Sequence, residues 1–197
     1  MPGNDNKKAR PGRLRIVAGN WRSRLLDVAD VPGLRPTAER IRETLFNWLA
    51  PCVGGARCLD LFAGTGALGF EALSRGATEV VFVEQSRSAA RAIEDNVKAL
   101  SAEGAVVVNG DATIFLRGAR QGSFDIIFLD PPFANDLLED LCRLIEELDL
   151  LAPRGRVYLE QDKRKPEANL PAGWTILKSK TAGQVRYSLA EISDQAR

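Results

Sequence analysis

Short runs built almost wholly of Val, Ile, Leu and Phe recur along this chain with helical stretches between them, and few folds accommodate that pattern. Ala56–Leu61, Thr78–Glu84, Ala105–Val108, Phe124–Leu129 and Arg156–Gln161 read as strands. Ala67–Arg75, stopped by Gly76, and Asn135–Leu148 read as helices, as does a segment capped by Ser86 in which Ala89, Ile93, Val97 and Leu100 recur. Strands that lack polar alternation are buried on both faces, which is the situation of a parallel sheet between two layers of helices. Trp174–Lys180 and Gln184–Ile192, joined through Ala182-Gly183, close the sheet as an antiparallel hairpin. The expected fold is therefore α/β: a mostly parallel, seven-stranded sheet with helices on both faces and a C-terminal antiparallel hairpin.

A small extension precedes the sheet. Leu14, Ile16 and Ala18 alternate with Arg13, Arg15 and Val17, and Leu25-Leu26 resumes the apolar pattern after Gly19-Asn20 and Trp21-Arg22-Ser23-Arg24. Two short strands about the Gly-Asn turn would bury the aliphatics and expose Arg13 and Arg15. Pro32-Gly33 and Pro36 mark a linker, and Thr37 is placed to cap a helix running to about Leu49 with Ile41, Leu45, Trp48 and Leu49 buried. The divisions expected are a basic tail at 1–12, a hairpin and helix at 13–50, and the sheet domain at 51–193.

Charge separates these parts. Residues 1–26 hold Lys7, Lys8, Arg10, Arg13, Arg15, Arg22 and Arg24 against Asp5, a charge of +6, leaving −5 for the rest of a chain whose total is +1. A cationic arm on an acidic body fits a polyanionic partner, and ordered basic residues with an exposed Trp21 suit RNA; residues 1–10 read more simply as a solvated tail. The chain has 197 residues and no His, which excludes a His base, a Ser-His-Asp triad and His metal ligands. Cys52, Cys58 and Cys142 form no metal or disulfide framework, so no metal is expected and a reducing cytoplasm is the simplest home. No apolar run reaches the roughly 18 residues of a membrane span, and Met1–Lys8 does not read as a signal peptide. Nothing demands more than a monomer.

The first sheet strand runs into Asp60-Leu61-Phe62-Ala63-Gly64-Thr65-Gly66-Ala67-Leu68-Gly69. Gly64 and Gly66 allow backbone conformations and close approaches that a Cβ would block, and Gly69 lets the helix lie tight on the sheet. Read literally, residues 64–69 match the G-x-G-x-x-G turn of a dinucleotide-binding Rossmann domain. Glu84, followed by Gln85, ends a strand 20 residues after Gly64, where an acid takes ribose hydroxyls; that placement fits NAD and S-adenosylmethionine equally. Asp60 favours the second, because a carboxylate there would repel a pyrophosphate and attract the cationic methionine end, while the helix N-terminus takes the ligand's carboxylate. Asp111, before Ala112, stands where such folds touch the adenine edge, and a helix N-cap explains it nearly as well.

The most informative stretch is Asp130-Pro131-Pro132-Phe133, directly after the Phe124–Leu129 strand. Consecutive prolines remove backbone donors and fix the turn, so the Asp130 carboxylate and the Pro131 carbonyl can converge on one exocyclic NH2. Two acceptors localise the amine lone pair toward a methyl donor, and Phe133 offers a face for base stacking, worth about 1–3 kcal/mol. In-line attack on the sulfonium methyl then depends mostly on positioning.

With both loops identified, the chain resembles the class I S-adenosylmethionine-dependent amino-methyltransferases, which share a Rossmann-like fold. More specifically, Arg15–Arg22, Leu34-Arg35-Pro36-Thr37 with Arg40, Arg42-Glu43, Leu45–Leu49, Cys58–Gly69, Glu71–Arg75 and Ala182-Gly183-Gln184-Val185 are similar to the ribosomal RNA small-subunit methyltransferase D family. The likeness spans roughly residues 13–190. It implies N2-methylation of one guanine, numbered 966 in the family's name, in bacterial 16S rRNA or the small subunit assembling around it. It also implies that Asp60, loop 62–67, Glu84, Gln85, Asp111 and Ala112 hold S-adenosylmethionine and release S-adenosylhomocysteine, and that Asp130 to Phe133 hold the amine. Arg13, Arg15, Trp21, Arg22 and Arg24 are then candidates for RNA contact, with Arg35, Thr37 and Arg40 at the helix start; Lys178, Lys180, Arg186 and Tyr187 read as a solvated face.

Other readings stay open on the residues alone. An adenine-N6 or protein-glutamine methyltransferase shares the catalytic loops, although the glutamine enzymes usually carry Asn where Asp130 stands. A carbon-5 pyrimidine enzyme lacks its Cys nucleophile here. An NAD-dependent oxidoreductase is disfavoured by Asp60 and by the absence of a second catalytic constellation, and a purely RNA-binding module would leave both loops without a task.

Overall fold

The computed structural model describes residues 12–31, 34, 36–132 and 137–193. Phe133, Arg35 and the tail residues Lys7, Lys8 and Arg10 lie outside them. Strands β1 (Arg13–Arg15) and β2 (Leu25–Asp27) pair antiparallel, with Arg13 opposite Asp27. Helix α1 (Glu39–Leu49) follows. The main alternation is β3 (Arg57–Asp60), α2 (Ala67–Ser74), β4 (Glu79–Glu84), α3 (Arg87–Leu100), β5 (Ala105–Asn109), α4 (Ala112–Gly118), β6 (Phe124–Leu129) and α5 (Leu138–Glu147). Three long strands close the chain: β7 (Leu151–Asp162), β8 (Trp174–Ala182) and β9 (Val185–Ile192).

The seven-stranded sheet has the order β5-β4-β3-β6-β7-β9-β8, parallel from β5 to β7 and antiparallel through β9 and β8. Each face carries its own apolar layer. On one face α1, α2, α3 and the β1–β2 hairpin pack on Cys58, Phe82, Ile126 and Phe128. On the other, α4 and α5 pack on Leu59, Val83, Ile127 and Leu129. Alternation of Cβ directions along each strand assigns neighbouring residues to opposite layers, which is why no polar alternation survives in the sequence.

Several boundaries differ from the sequence reading for identifiable reasons. Thr37 does not cap α1: Ala38 holds that position with no side-chain cap, and Thr37 serves Asp130 and Arg42 instead. The buried stripe of α1 includes Phe46 and Arg42 as well as Ile41, Leu45 and Leu49, while Trp48 is half-buried and stacks on Tyr187 at 5.5 Å. Helix α4 was not marked by any periodicity, since only Leu116 of its seven residues is buried. Strand β7 begins at Leu151 rather than Arg156 because a register shift against β6, between Phe124 and Ile126, accommodates the extra residues.

Candidate functional site

From the centre of the sheet, β3, β4 and β5 step outward in one direction and β6 and β7 in the other. Loops leaving the carboxyl ends of β3 and β6 therefore diverge, and such a reversal point is where open α/β sheets bind ligands. The glycine loop leaves β3 and the double-proline turn leaves β6, on paired strands about 4.8 Å apart. The two turns thus leave neighbouring strands at the same rim. Leu61 N donates to the Phe128 carbonyl (3.3 Å) and Ala63 N to the Val83 carbonyl (2.9 Å), which keeps the loop on the rim.

Within the loop, Gly64 (φ +55°) and Gly66 (φ +78°) occupy left-handed backbone, and Gly66 is the N-cap of α2. A Cβ on Gly69 would lie 2.1 Å from the Phe82 ring, so only glycine lets α2 sit this close to the sheet. Ala63, Thr65 and Ala67 are buried and Phe62 is half-buried against the second apolar layer, so the loop presents chiefly backbone to a ligand.

Four acidic side chains stand on four adjacent strand ends: Glu84 on β4, Asp60 on β3, Asp130 after β6 and Glu160 on β7. Asp60 is 2% exposed and accepts the Gly69 N–H at 3.0 Å, so it is no solvent-facing loop acid. Burial pushes its pKa up to about 7; the Gly69 bond opposes the rise, and the charges of Asp130 and Glu84 add to it. Asp130 is half-buried, yet loss of water around its carboxyl raises its pKa to about 6 against a hydrogen bond from the Thr37 side chain. Glu160, 4% exposed, accepts the Tyr158 hydroxyl at 2.6 Å. Burial first and the Asp130 charge second push its pKa up to about 8. Glu84 spans two turns, accepting Gly64 N (2.8 Å) with one oxygen and Ser86 N (2.6 Å) with the other. Each oxygen keeps a further lone pair for a ribose hydroxyl.

The remaining sequence candidates sort as follows. Gln85 is exposed, and its carbonyl accepts from Asn109, as does that of Glu84. Asp111 is the N-cap of α4, accepting Ile114 N at 3.0 Å, with Ala112 half-buried behind it. Pro131 is buried and Pro132 exposed. Glu160 and Tyr158 were missed, because neither belongs to a local motif; only the pairing of β7 with β6 brings them to the rim.

The N-terminal segment reaches the same rim. Leu34 Cδ1 lies 3.1 Å from the position a Gly64 Cβ would take, and Thr37 meets Asp130. The segment is held by a buried network that the sequence reading also missed. Glu71, fully buried on α2, accepts Val17 N (2.9 Å), Ala18 N (3.0 Å), Arg42 Nη1 (3.2 Å) and Arg75 Nε (2.8 Å). Arg42, 1% exposed, also donates to the carbonyls of Arg15 (2.8 Å) and Thr37 (3.1 Å). A lone acid in the apolar stretch Ala67–Ser74 and a lone arginine in the apolar face of α1 were the available signals.

Of the basic candidates, Arg13 and Arg15 are exposed and pair loosely with Asp27 and Glu39, each at 3.9 Å. Arg22 and Arg40 are exposed. Arg24 reaches the Ala99 carbonyl (3.4 Å) near the end of α3, and Asn20 and Trp21 bond Ser74 at the end of α2. Both helix ends lie at the opposite edge of the sheet from the rim, so Arg22 and Arg24 stand away from the site. Two expectations are corrected. Trp21 is half-buried against the first apolar layer, so it is not a free stacking surface. Tyr187 is buried under Trp48 and Arg186 is half-buried, bonding the Lys165 carbonyl; only Lys178 and Lys180 face solvent. Among the described residues, no group of three or more Cys, Asp or Glu is arranged to hold a metal ion.

Comparison with known proteins gives a consistent picture. The family model described as conserved hypothetical protein 95 matches residues 14–191. The chain is 46% identical over 179 residues to ribosomal RNA small subunit methyltransferase D of Escherichia coli, covering 90% of this chain and 89% of that protein. It is equally 46% identical over 181 residues to the Haemophilus influenzae protein of the same name, covering 90% and 93%. The solved structure of yhhF from Escherichia coli superposes with a TM-score of 0.87 at 42% identity, covering 93% of this chain and all of that one.

Proposed function

The chain belongs to the conserved hypothetical protein 95 family and to the ribosomal RNA small subunit methyltransferase D family, and on that premise we propose that it methylates the exocyclic N2 of one guanine in small-subunit ribosomal RNA with S-adenosylmethionine as donor. The single observation that carries this reading is the pairing of β3 with β6, which puts a glycine turn with the buried Asp60 carboxyl beside a double-proline turn with the half-buried Asp130.

The residues present fit a cationic nucleoside ligand. Asp60 has a buried carboxyl whose protein partner is one backbone N–H, so a cation beside it would relieve the burial that keeps it protonated. Glu84 would take the ribose hydroxyls, and the start of α2 would face the ligand's carboxylate. When bound, S-adenosylmethionine supplies a sulfonium methyl, which passes to nitrogen as the carbon–sulfur bond breaks, leaving S-adenosylhomocysteine. Asp130, with the Pro131 carbonyl, would accept the two amine N–H groups and orient the nitrogen lone pair. Phe133 would stack on the guanine, and Arg13, Arg15, Arg35 and Arg40 would meet phosphate, with Arg22 and Arg24 engaging a part of the RNA farther from the rim.

The test is to incubate the protein and a labelled donor with small subunits, and separately with naked 16S rRNA, both lacking the modification, and to map the labelled nucleotide. A single labelled guanine carrying N2-methyl is the expected outcome; label on adenine N6 or on protein would replace this reading. Binding of the RNA should weaken with salt, with a log–log slope on the order of −4 for about five phosphate contacts.

A further inference from the structure

Glu160 is a buried carboxyl on β7, outside both the glycine loop and the double-proline turn. Strands β6 and β7 run parallel in a register that sets Phe128 beside Tyr158 and Leu129 beside Leu159; Asp130 is the first residue past that pairing on one strand and Glu160 the next residue on the other, and the Asp130 charge reaches Glu160. Side chains two residues apart on a strand share a face, and Phe128 and Tyr158 belong to the same apolar layer, their rings 6.3 Å apart. Asp130 and Glu160 therefore emerge on one face at the open end of two adjacent strands. Glu160 is fixed there by the Tyr158 hydroxyl at 2.6 Å, which uses one oxygen of the carboxyl.

We propose, on the reading of the site given above, that Glu160 is a positioning residue for methyl transfer: it forms with Asp130 a carboxyl pair that holds one proton between two acids and so presents a single negative charge to the reacting amine. When the N–CH3 bond has formed, the amine proton passes to the Asp130 carboxylate and its N–H electron pair returns to nitrogen. The pair then holds two protons and no charge, at the moment when the donor has lost its positive charge. Site and ligands thus remain electrically matched on both sides of the reaction, and the second proton is lost to water afterwards.

The surroundings support one shared proton. Besides burial, what acts on Glu160 is the Asp130 charge, which raises its pKa, and the Tyr158 hydroxyl, which lowers it. On β9 the residue opposite Glu160 is Tyr187, buried and stacked on Trp48 of α1. Toward β3 the charge of Asp130 acts on Asp60, and the segment before α1 contributes the uncharged Thr37 to Asp130. Two carboxyls in this setting ionise in sequence rather than together, the charge of Asp130 holding the Glu160 proton on to higher pH.

Two measurements test this. Carbon-13 NMR of labelled carboxyls should show Asp130 and Glu160 titrating in two linked steps. In Glu160→Gln, Asp130 should titrate in one step, and in Asp130→Asn the Glu160 step should move to lower pH. A Glu160 that titrates at an ordinary value and ignores Asp130→Asn overturns the pair, whatever the protein methylates. In single-turnover assays on unmodified small subunits, the wild type should lose about tenfold in rate for each pH unit above its alkaline limb. Glu160→Gln, which mimics the protonated acid and keeps the acceptor for Tyr158, should retain the neutral rate within about threefold and lose that limb. Tyr158→Phe removes a bond that holds the Glu160 pKa down, so it should shift the limb upward. Identical profiles in wild type and both variants overturn the inference, whereas absence of guanine methylation by the wild type would overturn the proposed function and leave the NMR result to decide the pair.

Discussion

Glu71 and Glu160 are both buried carboxylates on the same face of the sheet, yet they are surrounded in opposite ways. Glu71 meets two guanidiniums and two backbone N–H groups, so every lone pair that burial strips of water finds a donor. Glu160 and its neighbours Asp60 and Asp130 are set among one another, with one hydroxyl or one amide each. The first arrangement is complete within the protein and holds the N-terminal hairpin against α2. The second is complete only when something cationic or hydrogen-bond-donating arrives. The contrast separates a structural cluster from a ligand site without reference to any relative: buried charge that is already paired builds the fold, and buried charge left on one sign points to a binding site.

The largest effect should come from Asp130→Ala. Methyl transfer should fall by about 10² to 10⁴-fold while cofactor binding, measured by calorimetry, changes little. Normal turnover by this variant would place the chemistry elsewhere. Glu71→Ala should act in the reverse sense: it leaves Arg42 buried and unpaired, lowering stability by about 3–5 kcal/mol in urea unfolding, whereas Glu71→Leu combined with Arg42→Met should recover much of the loss. If the single and double variants unfold alike, the network is not the clasp described here.

Asp60→Asn tests both halves of the comparison at once. The Asp60 carboxyl ionises in the unfolded chain near 3.8 but stays protonated in the fold up to about 7. Between those values the unfolded chain binds fewer protons than the native one, so wild-type stability falls as pH rises through the window and levels off above it. The Asn variant lacks that fall and should be the more stable protein at pH 8, by on the order of 2 kcal/mol, with the two converging near pH 4. It should also bind S-adenosylmethionine about tenfold more weakly. A variant equal to wild type in both respects would return Asp60 to the structural class. The smallest effect belongs to Thr37→Val. Its hydrogen bond holds the Asp130 pKa down, so its loss should move the acid limb of the activity profile upward by about half a pH unit to one unit, read from rates at pH 5.5–7.

How much of this was legible beforehand follows from the range of the interactions. The glycine turn, the double-proline turn and the apolar strands are written in residues within a few positions of one another, and their conformational demands are local. Helix α1 was legible as an element but not in its detail, because Thr37 and Arg42 take their roles from partners on α2 and after β6. Trp21 and Tyr187 look like exposed aromatics on basic strands, and only their burial under neighbouring elements shows that they pack.

By itself, then, the order of residues determined a parallel sheet and the two loops at its rim, because strand burial, glycine conformations and proline turns are properties of short segments. The tertiary structure alone decided that β6 lies between β3 and β7, and with it which carboxyls face one another and which meet arginines. Charges act across a few ångströms of space regardless of separation along the chain, so their partners, and hence their protonation and role, exist only once the strands are placed side by side.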